Sequence, residues 1–479
     1  MSRTPGREAE EGAGDVVGDL AVVLHSHMPY VEGFGTYPFG EEWLFEAFAS
    51  SHLPVLDVAR RLTMTVTPVL ADQLEADGVG ERLLEFLRRH RLGAAERDAG
   101  EGEPELRAAA AHQARKHAEA IVRLERVEGR PLRAFQDADS SVELIPSAAT
   151  HAVLPKLATV AGRRLQVDAG LRSHRRRFGE PSGFWLPECA YAPGLEDVLG
   201  ERGLAYTCLD MSRGEADGAS LAPIRLPGGV TAFTIDWPTV ELVWSKAGYP
   251  SDPAHQEYHR LSSNGTRLWS IGGGPYEPEA AAALAARQAA GFLELVRDRL
   301  ASHAERAGKP GLCVFAIDTE LLGHWWAEGP LWLAELIAAA DAHGVRMLTL
   351  SEALAEHEPE DRAARESSWG EGKSLETWDS PAVTDLAWAA RRLELRMLGA
   401  DGPLTRRDPG AERAARELLA VQSSDWAFMD HRGQAGDYPF RRAVGHGEAM
   451  LDALAHPGEA DPALRNLAPD LSLAPLLEP

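Results

Sequence analysis

The hydrophobic positions of this chain fall into short continuous runs that end in polar residues. A continuous apolar run is typical of a strand buried on both faces of a parallel sheet, because a strand with one wet face alternates instead. Six segments show this pattern: 19–30, 63–74, 182–191, 204–210, 312–320 and 345–354. Helical stretches, among them 280–304 and 329–344, separate several of these segments. The alternation predicts a parallel β/α architecture, in which the polar strand ends would form the rim of a barrel where active sites are built.

Two regions break the alternation of strands and helices. Residues 78–130 are charged, rich in alanine and helical in pattern, so they predict a helical insertion in the barrel. Residues 380–455 are again helical without strand signals, which predicts a separate C-terminal helical domain. The full prediction is a flexible N-terminal tail, a catalytic barrel, the C-terminal helical domain and an irregular tail, at residues 1–18, 19–355, 356–457 and 458–479.

Composition narrows the class of partner. The 479 residues carry a net charge of −24, which disfavours a nucleic acid or an anionic membrane surface and suits a neutral ligand such as a glycan. The chain lacks an apolar run of about 18 residues and a signal peptide's apolar core, so we expect a cytoplasmic location. The three cysteines, Cys189, Cys208 and Cys313, are too scattered to predict a disulfide framework or a zinc site of thiolates.

Two histidines stand at the end of the first predicted strand. His25 and His27 are two residues apart, so both side chains would point to the same face of the sheet. Such a pair is compatible with metal ligands, with hydrogen-bond donors to a sugar, or with a strand end that holds one satisfied core histidine. A metal would also need carboxylate or thiolate ligands within reach, and sequence spacing does not show them.

Two carboxylates also stand at the ends of predicted strands. Glu188 follows a Trp-Leu-Pro sequence and Asp318 ends the strand that begins near residue 312. Each is compatible with a structural ion pair. Facing each other, they would suit retaining glycoside cleavage, which needs a nucleophile and an acid/base about 5–5.5 Å apart. The acid needs a raised pKa, and crowding by Trp325 and Trp326 is expected to supply the burial that raises it.

Several other polar and aromatic positions are weaker signals when taken singly. Tyr249 stands in a Gly-Tyr-Pro-Ser-Asp-Pro stretch, which by itself favours an ordinary surface turn. Trp369, Trp378 and the Asp425-Trp426 pair are compatible with a helical domain in which the indoles are core residues. The basic stretch 172–179 predicts a solvated helix face.

Taken together and in order, the motifs of this chain resemble glycoside hydrolase family 57, and within it the α-1,4-glucan branching enzymes. The resemblance runs from about residue 20 to about residue 455. Eight motifs carry it: HSHMPY, GEEWLFEA, ELIPSAATHA, FWLPECAY, VWSKAGYPSDP, FAIDTELLGHWWAEGP, SSWG with TW following, and QSSDWAF. Each motif alone is weak, but their common order is hard to obtain by chance.

The resemblance implies a fold, a mechanism and a set of site residues. The fold would be an incomplete (β/α)7 barrel with a helical insertion and a C-terminal helical domain. Glu188 would be the nucleophile, Asp318 the general acid/base, and Tyr249 would lie on a mobile loop that favours transfer over hydrolysis. The implied substrate-binding residues are His25, His27, Trp43, His151, Trp269, His324, Trp325, Trp369, Trp378, Asp425 and Trp426. The family uses no metal for its chemistry and no cofactor, which turns the histidine pair from metal ligands into sugar contacts.

The chain also departs from the family pattern at several positions. Tyr37 stands where a tryptophan is expected, Ile235 where relatives often carry arginine, and Gln288 where a histidine is common. The loop near 262–268 is shorter than in many relatives. These departures bear on acceptor preference and on the length of the transferred chain, and they leave both carboxylates in place.

The sequence therefore predicts a retaining 1,4-α-glucan branching enzyme that acts on an amylose- or glycogen-like donor and acceptor, with no prediction of its oligomeric state. An α-amylase or a 4-α-glucanotransferase of the same family is the nearest alternative. A metal-dependent polysaccharide deacetylase with His25 and His27 as ligands belongs to a different class, and it predicts loss of activity with a chelator. A non-catalytic glycan-binding protein is a further alternative, which the intact Glu188 and Asp318 disfavour.

Overall fold

The computed structural model describes residues 16–35, 39–214, 219–400, 402, 404 and 408–478. Its strands are β1 Gly18–Ser26, β2 Thr63–Val66, β3 Glu143–Ile145, β4 Tyr206–Leu209, β5 Ile224–Arg225, β6 Thr231–Thr234, β7 Leu312–Asp318 and β8 Val345–Met347. Strands β3, β2, β1 and β7 pair in that order and in parallel. Strand β4 pairs in parallel with β6, and the short β5 runs antiparallel to β6.

The segment 183–185 joins these two groups of strands into a barrel. Trp185 bridges to Ser147 just beyond β3, and Gly183 bridges to Tyr206 at the start of β4, both in parallel. On the other side, the backbone N–H of Asp236, just beyond β6, donates to the carbonyl of Val314 in β7 at 2.8 Å. The ring of parallel segments that results is the incomplete (β/α)7 barrel that the sequence predicts.

Burial explains why the strands read as continuous apolar runs. All nine residues of β1 are buried, since helices cover the outside of the barrel and side chains fill its interior. Residues 18–20 of β1 also pair with β8, which lies below β2 at the amino end of the barrel. The hydrophobic core therefore lies inside the barrel and around its wall. The carboxyl ends of the strands lie outside this core and carry the functional site.

The helices surround the barrel and form two further groups. Those of the barrel and its insertion are α1 Glu41–Ala47, α2 Leu53–Val58, α3 Pro68–Leu74, α4 Val79–Phe86, α5 Gly93–Glu101, α6 Arg107–Arg126, α7 Arg133–Gln136, α8 Val160–Phe178, α9 Leu195–Glu201, α10 Trp237–Trp244, α11 Pro278–Ala307, α12 Gly329–Ala339 and α13 Leu350–Glu356. Those of the C-terminal region are α14 Thr384–Leu398, α15 Pro409–Val421, α16 Ser424–His431 and α17 Tyr438–Ala455. None of the described helices combines the length and the apolar character needed to cross a bilayer.

The predicted helical regions contain helices, while the exact domain boundaries stay a prediction. Helices α4 to α6 lie within the predicted insertion, and α14 to α17 lie within the predicted C-terminal domain. Residues 1–15 of the predicted N-terminal tail lie outside the described residues. The predicted irregular tail contains a short helical turn at Ala474–Leu476.

The strand predictions are confirmed at β1, β2, β4, β7 and β8, although some predicted segments were too long. The second half of 63–74 is helix α3, which begins with Pro68 at its first position. The second half of 345–354 is helix α13, which a capping box between Thr349 and Glu352 starts. Strands β3 and β6 were not predicted, because three or four residues are too few to give a periodic signal.

The basic stretch 172–179 is only in part the solvated face that the sequence predicted. Arg177, near the end of α8, is buried, and its guanidinium pairs with Asp72 at 2.7 Å and with Glu75 at 2.6 Å. The prediction was wrong at this position because net acidity says nothing about one buried arginine that ties α8 to α3.

Candidate active site

The candidate site lies at the carboxyl ends of the barrel strands. Asp318 is the last residue of β7 and is in register with His25 on β1. Glu188 follows the barrel segment 183–185, and His151 follows β3. The barrel therefore brings together four side chains from four separate parts of the sequence.

The backbone at Glu188 is held in an uncommon conformation. Glu188 and the next residue, Cys189, have φ values of 60° and 48°, in the left-handed region that favours glycine. The carbonyl of Glu188 accepts a hydrogen bond from the N–H of Trp369 at 2.7 Å. Strain of this kind persists only where the surrounding structure fixes it, and it clusters at functional sites. The turn aims the Glu188 carboxylate into the site.

Three histidines stack beside the carboxylates. The ring of His151 lies 4.1 Å from that of His27 and 4.8 Å from that of His25, measured between centroids. His25 is engaged at both nitrogens, with Nε2 2.9 Å from Nε2 of His151 and Nδ1 2.5 Å from Oγ1 of Thr65. The backbone of His151, with φ of 59°, is in the same left-handed region as that of Glu188. Every ring nitrogen of the stack has a protein partner, so the stack is a rigid wall beside the carboxylates.

Two helical residues of the C-terminal region complete the site. The Ser424 hydroxyl donates to Oε1 of Glu188 at 3.2 Å, and Nε2 of His27 pairs with Asp425 at 3.0 Å. Nδ1 of His151 lies 2.9 Å from the Ser424 hydroxyl and 3.6 Å from Oε1 of Glu188. Helix α16 therefore closes one side of the barrel rim.

The site perturbs the pKa values of its acids. Burial, together with the charges of Asp318 and Asp425, raises the pKa of Glu188 to about 8. Burial and the charge of Glu320 raise the pKa of Asp318 to about 7. Since the two acids repel each other, they hold one proton between them near neutral pH and titrate as a pair. A pair in which one acid is charged and the other protonated is what acid-assisted nucleophilic attack needs.

The histidines respond to the same environment in opposite directions. Burial and the neighbouring His27 hold the pKa of His25 well below its usual range, and the pKa of His151 falls for the same reasons. Burial alone would also lower the pKa of His27, but the charges of Asp425, Glu320 and Glu188 outweigh it and raise that pKa. His27 is thus the one of these three histidines whose surroundings favour the charged form.

Comparisons with known proteins agree with this arrangement. The family model "Glycosyl hydrolase family 57" matches residues 131–365, and the model "1,4-alpha-glucan branching enzyme, C-terminal" matches residues 390–464. A probable 1,4-alpha-glucan branching enzyme of Mycobacterium tuberculosis is 34% identical over 92% of both chains. The chain belongs to glycosyl hydrolase family 57. The 1,4-alpha-glucan branching enzyme of Thermococcus kodakarensis is 33% identical over 90% of this chain and 72% of that protein.

A solved structure extends the likeness to the whole fold. The crystal structure of a GH57-type branching enzyme from Pyrococcus horikoshii superposes with a TM-score of 0.90 at 30% identity, and the match covers 96% of this chain and 97% of that one. The family membership and the fold that the sequence predicted are therefore confirmed.

Several aromatic residues that the family resemblance implied lie in or beside the site. The Trp369 ring lies 6.5 Å from the His25 ring and 5.0 Å from the Trp185 ring. Trp378 is buried beside Trp426 in a small cleft under α16. The indole N–H of Trp426 donates to the carbonyl of Ala420 at 2.7 Å, so Trp426 fixes α16 in place.

For other implied residues, the described ring contacts and cavity positions involve groups other than the two acids. Trp43 packs against Phe39 at 6.1 Å, and Arg260 covers the ring of Trp269 at 4.0 Å. His324 and Trp325 line a cavity between the insertion and the barrel. The buried Trp326 packs on His255 and Trp332, so the ring contacts of both indoles that were expected to crowd Asp318 lie elsewhere.

Tyr249 lies on a short helical turn beside α11. Its hydroxyl is close to Gly291, and burial together with the charge of Glu294 raises its pKa to about 12. The side chain therefore packs on an outer helix of the barrel in this structure, and its described contacts do not include Glu188 or Asp318.

The departures from the family pattern have structural roles or lie outside the described residues. Tyr37 lies outside them. Ile235 is fully buried in the barrel core. Gln288 accepts a hydrogen bond from His255 at 2.9 Å. The shortened loop is anchored to α5, where Ser262 and Asn264 both donate to Asp98.

Sequence reasoning missed several residues of the site. Trp185 stacks on His25 at 4.9 Å, Thr65 bonds to the same histidine, and Ser424 contacts Glu188. Trp185 and Ser424 stand inside motifs that the resemblance used, so their position in those motifs was the available signal. Thr65 carried no signal, because a threonine in a buried strand looks like any other.

The histidine nitrogens of the site that could bind a metal ion already form hydrogen bonds with other protein groups. In the described part of the chain, histidine, cysteine and acidic side chains form no group of three or more placed to hold a metal ion. His25, one of the pair that suggested a metal, has protein partners at both ring nitrogens.

Glu320 links the two strand ends that carry the site. Its Oε1 accepts hydrogen bonds from the backbone N–H of His27 at 2.9 Å and from Nε2 of His52 at 2.7 Å. Its charge is also one of the reasons for the raised pKa of Asp318. Glu320 thus positions His27 and helps to keep Asp318 protonated.

We expect Glu320→Gln to move the alkaline limb of the kcat/KM profile to lower pH. Glutamine keeps an oxygen that can accept both hydrogen bonds but loses the charge that raises the pKa of Asp318. Activity that requires protonated Asp318 is lost as pH rises through that pKa, so a lower pKa brings the loss at lower pH. The profile should be measured beside Glu335→Gln, an exposed control on α12. An unchanged or higher alkaline limb would contradict the role of Glu320.

Proposed function

We propose that this chain is a retaining 1,4-α-glucan branching enzyme that acts on an amylose- or glycogen-like glucan. The observation that supports it most is the pair of partly buried acids, Glu188 and Asp318, which lie at the ends of separate barrel segments and both have raised pKa values. The match of residues 390–464 to a branching-enzyme C-terminal family adds support, since that region supplies Ser424 and Asp425 to the site.

In the first step, the carboxylate of Glu188 attacks the anomeric carbon of the donor glucan. Asp318 gives its proton to the glycosidic oxygen, so the α-1,4 bond breaks and a glycosyl ester forms on Glu188. The hydroxyl of Ser424 donates to Glu188 and stabilises its charged form. Because the pKa of Glu188, about 8, lies above that of Asp318, about 7, in the free protein, this step requires the shared proton to pass to Asp318 when the glucan binds.

In the second step, Asp318 acts as a base toward the acceptor. It takes the proton of a glucose 6-hydroxyl, and that oxygen attacks the anomeric carbon of the glycosyl ester, which breaks the bond to Glu188 and forms an α-1,6 bond. Water is the competing acceptor, so transfer prevails only where an oriented sugar hydroxyl occupies the place of water. Of the rings around the two acids, those of His27 and Trp369 keep part of their surface accessible, and in this proposal they orient the sugar.

The proposal is tested by the linkage of the product. Amylose is incubated with the purified protein, and reducing ends are counted before and after digestion with an α-1,6-specific debranching enzyme. Few new ends before debranching and many after it are the expected result. Many ends before and no more after would make the protein a hydrolase and overturn the proposal.

The same assay separates the alternatives. A 4-α-glucanotransferase would change the chain lengths of amylose without adding ends after debranching. A metal-dependent deacetylase would leave amylose unchanged and release acetate from an acetylated glycan in a reaction that EDTA stops. A glycan-binding protein would retain amylose without altering it.

We expect Tyr249→Ala to lower branching about tenfold more than hydrolysis, which corresponds to about 1.4 kcal/mol of transition-state free energy. In this proposal, the loop that carries Tyr249 leaves α11 and shields the glycosyl ester from water when an acceptor is bound. Branching and hydrolysis are measured on the same amylose, with Tyr249→Phe as the variant that keeps the ring and removes the hydroxyl. Equal losses of both activities in Tyr249→Ala would contradict the shielding role.

A further inference from the structure

A cavity of about 240 Å³ lies on the flank of the barrel, outside the site of the two acids. Helix α6 of the insertion forms one wall, and segments near residues 256–278 and 323–331 form the others. Neither Glu188 nor Asp318 is among its lining residues. The cavity therefore needs an explanation other than the catalytic pair.

One wall of this flank cavity is a rigid aromatic platform. The ring of Trp325 lies 4.5 Å from that of Tyr258, and the Arg267 guanidinium covers Tyr258 at 4.3 Å. The Tyr258 hydroxyl lies 3.1 Å from Nε2 of His324, whose Nδ1 lies 3.3 Å from the hydroxyl of Ser50. Trp325 keeps 47% of its surface exposed although its ring packs on those of Tyr258 and His324, and so large an exposed apolar ring often marks a binding surface.

The cavity also contains a polar group that lacks a partner. Gln113 on α6 is only 6% exposed, and among the described residues none accepts a hydrogen bond from its Nε2. A buried amide left without a partner is unfavourable, because its lost hydrogen bonds to water are not replaced. Nε2 is enclosed as the side chain stands, and a turn of the terminal amide would bring it to the cavity, where a ligand with acceptor oxygens would satisfy it.

The charges around the cavity balance one another. Its acidic residues are Glu46, Glu119 and Glu328, and its basic ones are Lys116, Arg123 and Arg267. The cavity also contains three histidines whose pKa values burial lowers to about 4, so they are neutral at pH 7: His112, His117 and His324. A lining with no net charge, an exposed indole and a free amide donor suits a neutral polyhydroxylated ligand better than an anion or a cation.

We propose that the flank cavity is a second α-glucan-binding site, in which a sugar ring stacks on Trp325 and its hydroxyls bond to Gln113. The identity of the ligand as an α-glucan rests on the proposed function, since the cavity by itself indicates only a neutral sugar. A second site would hold another part of the polymer while the catalytic site works on one segment, and it would raise the local concentration of chains near the acids.

Titration of a catalytically inactive protein tests the proposal. Glu188→Gln prevents turnover, and maltoheptaose is titrated into this protein by calorimetry. We expect two classes of site. Adding Trp325→Ala should weaken one of them about fivefold or more, and adding Gln113→Leu, which keeps side-chain size but removes the donor, should weaken the same one. Adding Trp388→Ala instead provides the matched control, because Trp388 is 53% exposed on α14 in the C-terminal region.

Each outcome of the titration has one interpretation. A single site in the parent, or two sites that neither cavity variant changes, overturns the second-site proposal and leaves the catalytic proposal standing. Loss of both sites in Trp325→Ala would place this indole in the catalytic cleft and also overturn it. Absence of any maltoheptaose binding in the parent would instead count against the proposed function itself. Far-UV circular dichroism and Tm of each variant separate these results from misfolding.

Discussion

Glu188→Gln should lower kcat for branching and for hydrolysis by about 10⁴-fold or more. An amide of the same shape cannot form the glycosyl ester, so both reactions lose their common intermediate. The change should leave the fold intact, because glutamine can still accept the hydrogen bond from Ser424 and because it removes a charge whose burial is unfavourable. Branching and hydrolysis are measured on amylose, with Tm as the check on folding.

The matched control for this variant is Glu366→Gln. Glu366 is an exposed acid three residues before Trp369, the residue whose N–H bonds to the carbonyl of Glu188. The control therefore makes the same chemical change close to Trp369. Its activity should stay within about twofold of the parent. Residual activity in Glu188→Gln within tenfold of the parent would show that another group is the nucleophile.

Asp318→Asn should lower branching of amylose by about 10³-fold or more, since it removes both the acid of the first step and the base of the second. A substrate with a good leaving group distinguishes this role from that of Glu188. Formation of the ester from a nitrophenyl maltooligosaccharide needs no proton on the leaving group, so a burst of nitrophenol should survive in Asp318→Asn. The burst should be absent in Glu188→Gln.

The result that would contradict this assignment is the reverse pattern. A burst in Glu188→Gln and none in Asp318→Asn would exchange the roles of the two acids. The control is Asp379→Asn, which alters an acid paired with Lys156 and Arg391 at the edge of the C-terminal region. The control should keep its burst.

The barrel could be predicted from the sequence because its longest strands are long, continuous apolar runs. Strand β1 has nine residues, all buried, and β7 has seven, of which six are buried; each apolar run ends in polar residues, so pattern alone placed His25 and Asp318 on the rim. Strands β3 and β6 have three and four residues, and for these the packing of neighbouring strands decides the conformation. Strands this short can be identified from the folded structure but not from the sequence pattern.

The left-handed backbone at Glu188 is a second feature that pattern reasoning could not supply. Nothing in a Pro-Glu-Cys sequence favours a positive φ at two consecutive residues, and the conformation depends on the hydrogen bond from Trp369 far along the chain. The contact of Ser424 with Glu188 has the same origin, since it depends on how α16 packs on the rim. The family resemblance indicated which residues matter, and packing decides how they meet.

Loop residues were the hardest to place. Tyr249, His324 and Trp325 stand in motifs that suggested one common site, yet the structure places the first beside α11 and the other two in the flank cavity. Their positions depend on contacts with α6 and α11, which sequence spacing does not encode.

Trapping the covalent intermediate tests the central claim most directly. The Asp318→Asn protein is incubated with a maltooligosaccharyl fluoride, which forms the ester without an acid but leaves no base to resolve it. The protein is then digested and its peptides are weighed. The expected result is one glycosyl unit on the peptide that contains Glu188. A label on a different acidic residue, or release of a product with inverted anomeric configuration and no labelled peptide, would contradict the double displacement through Glu188.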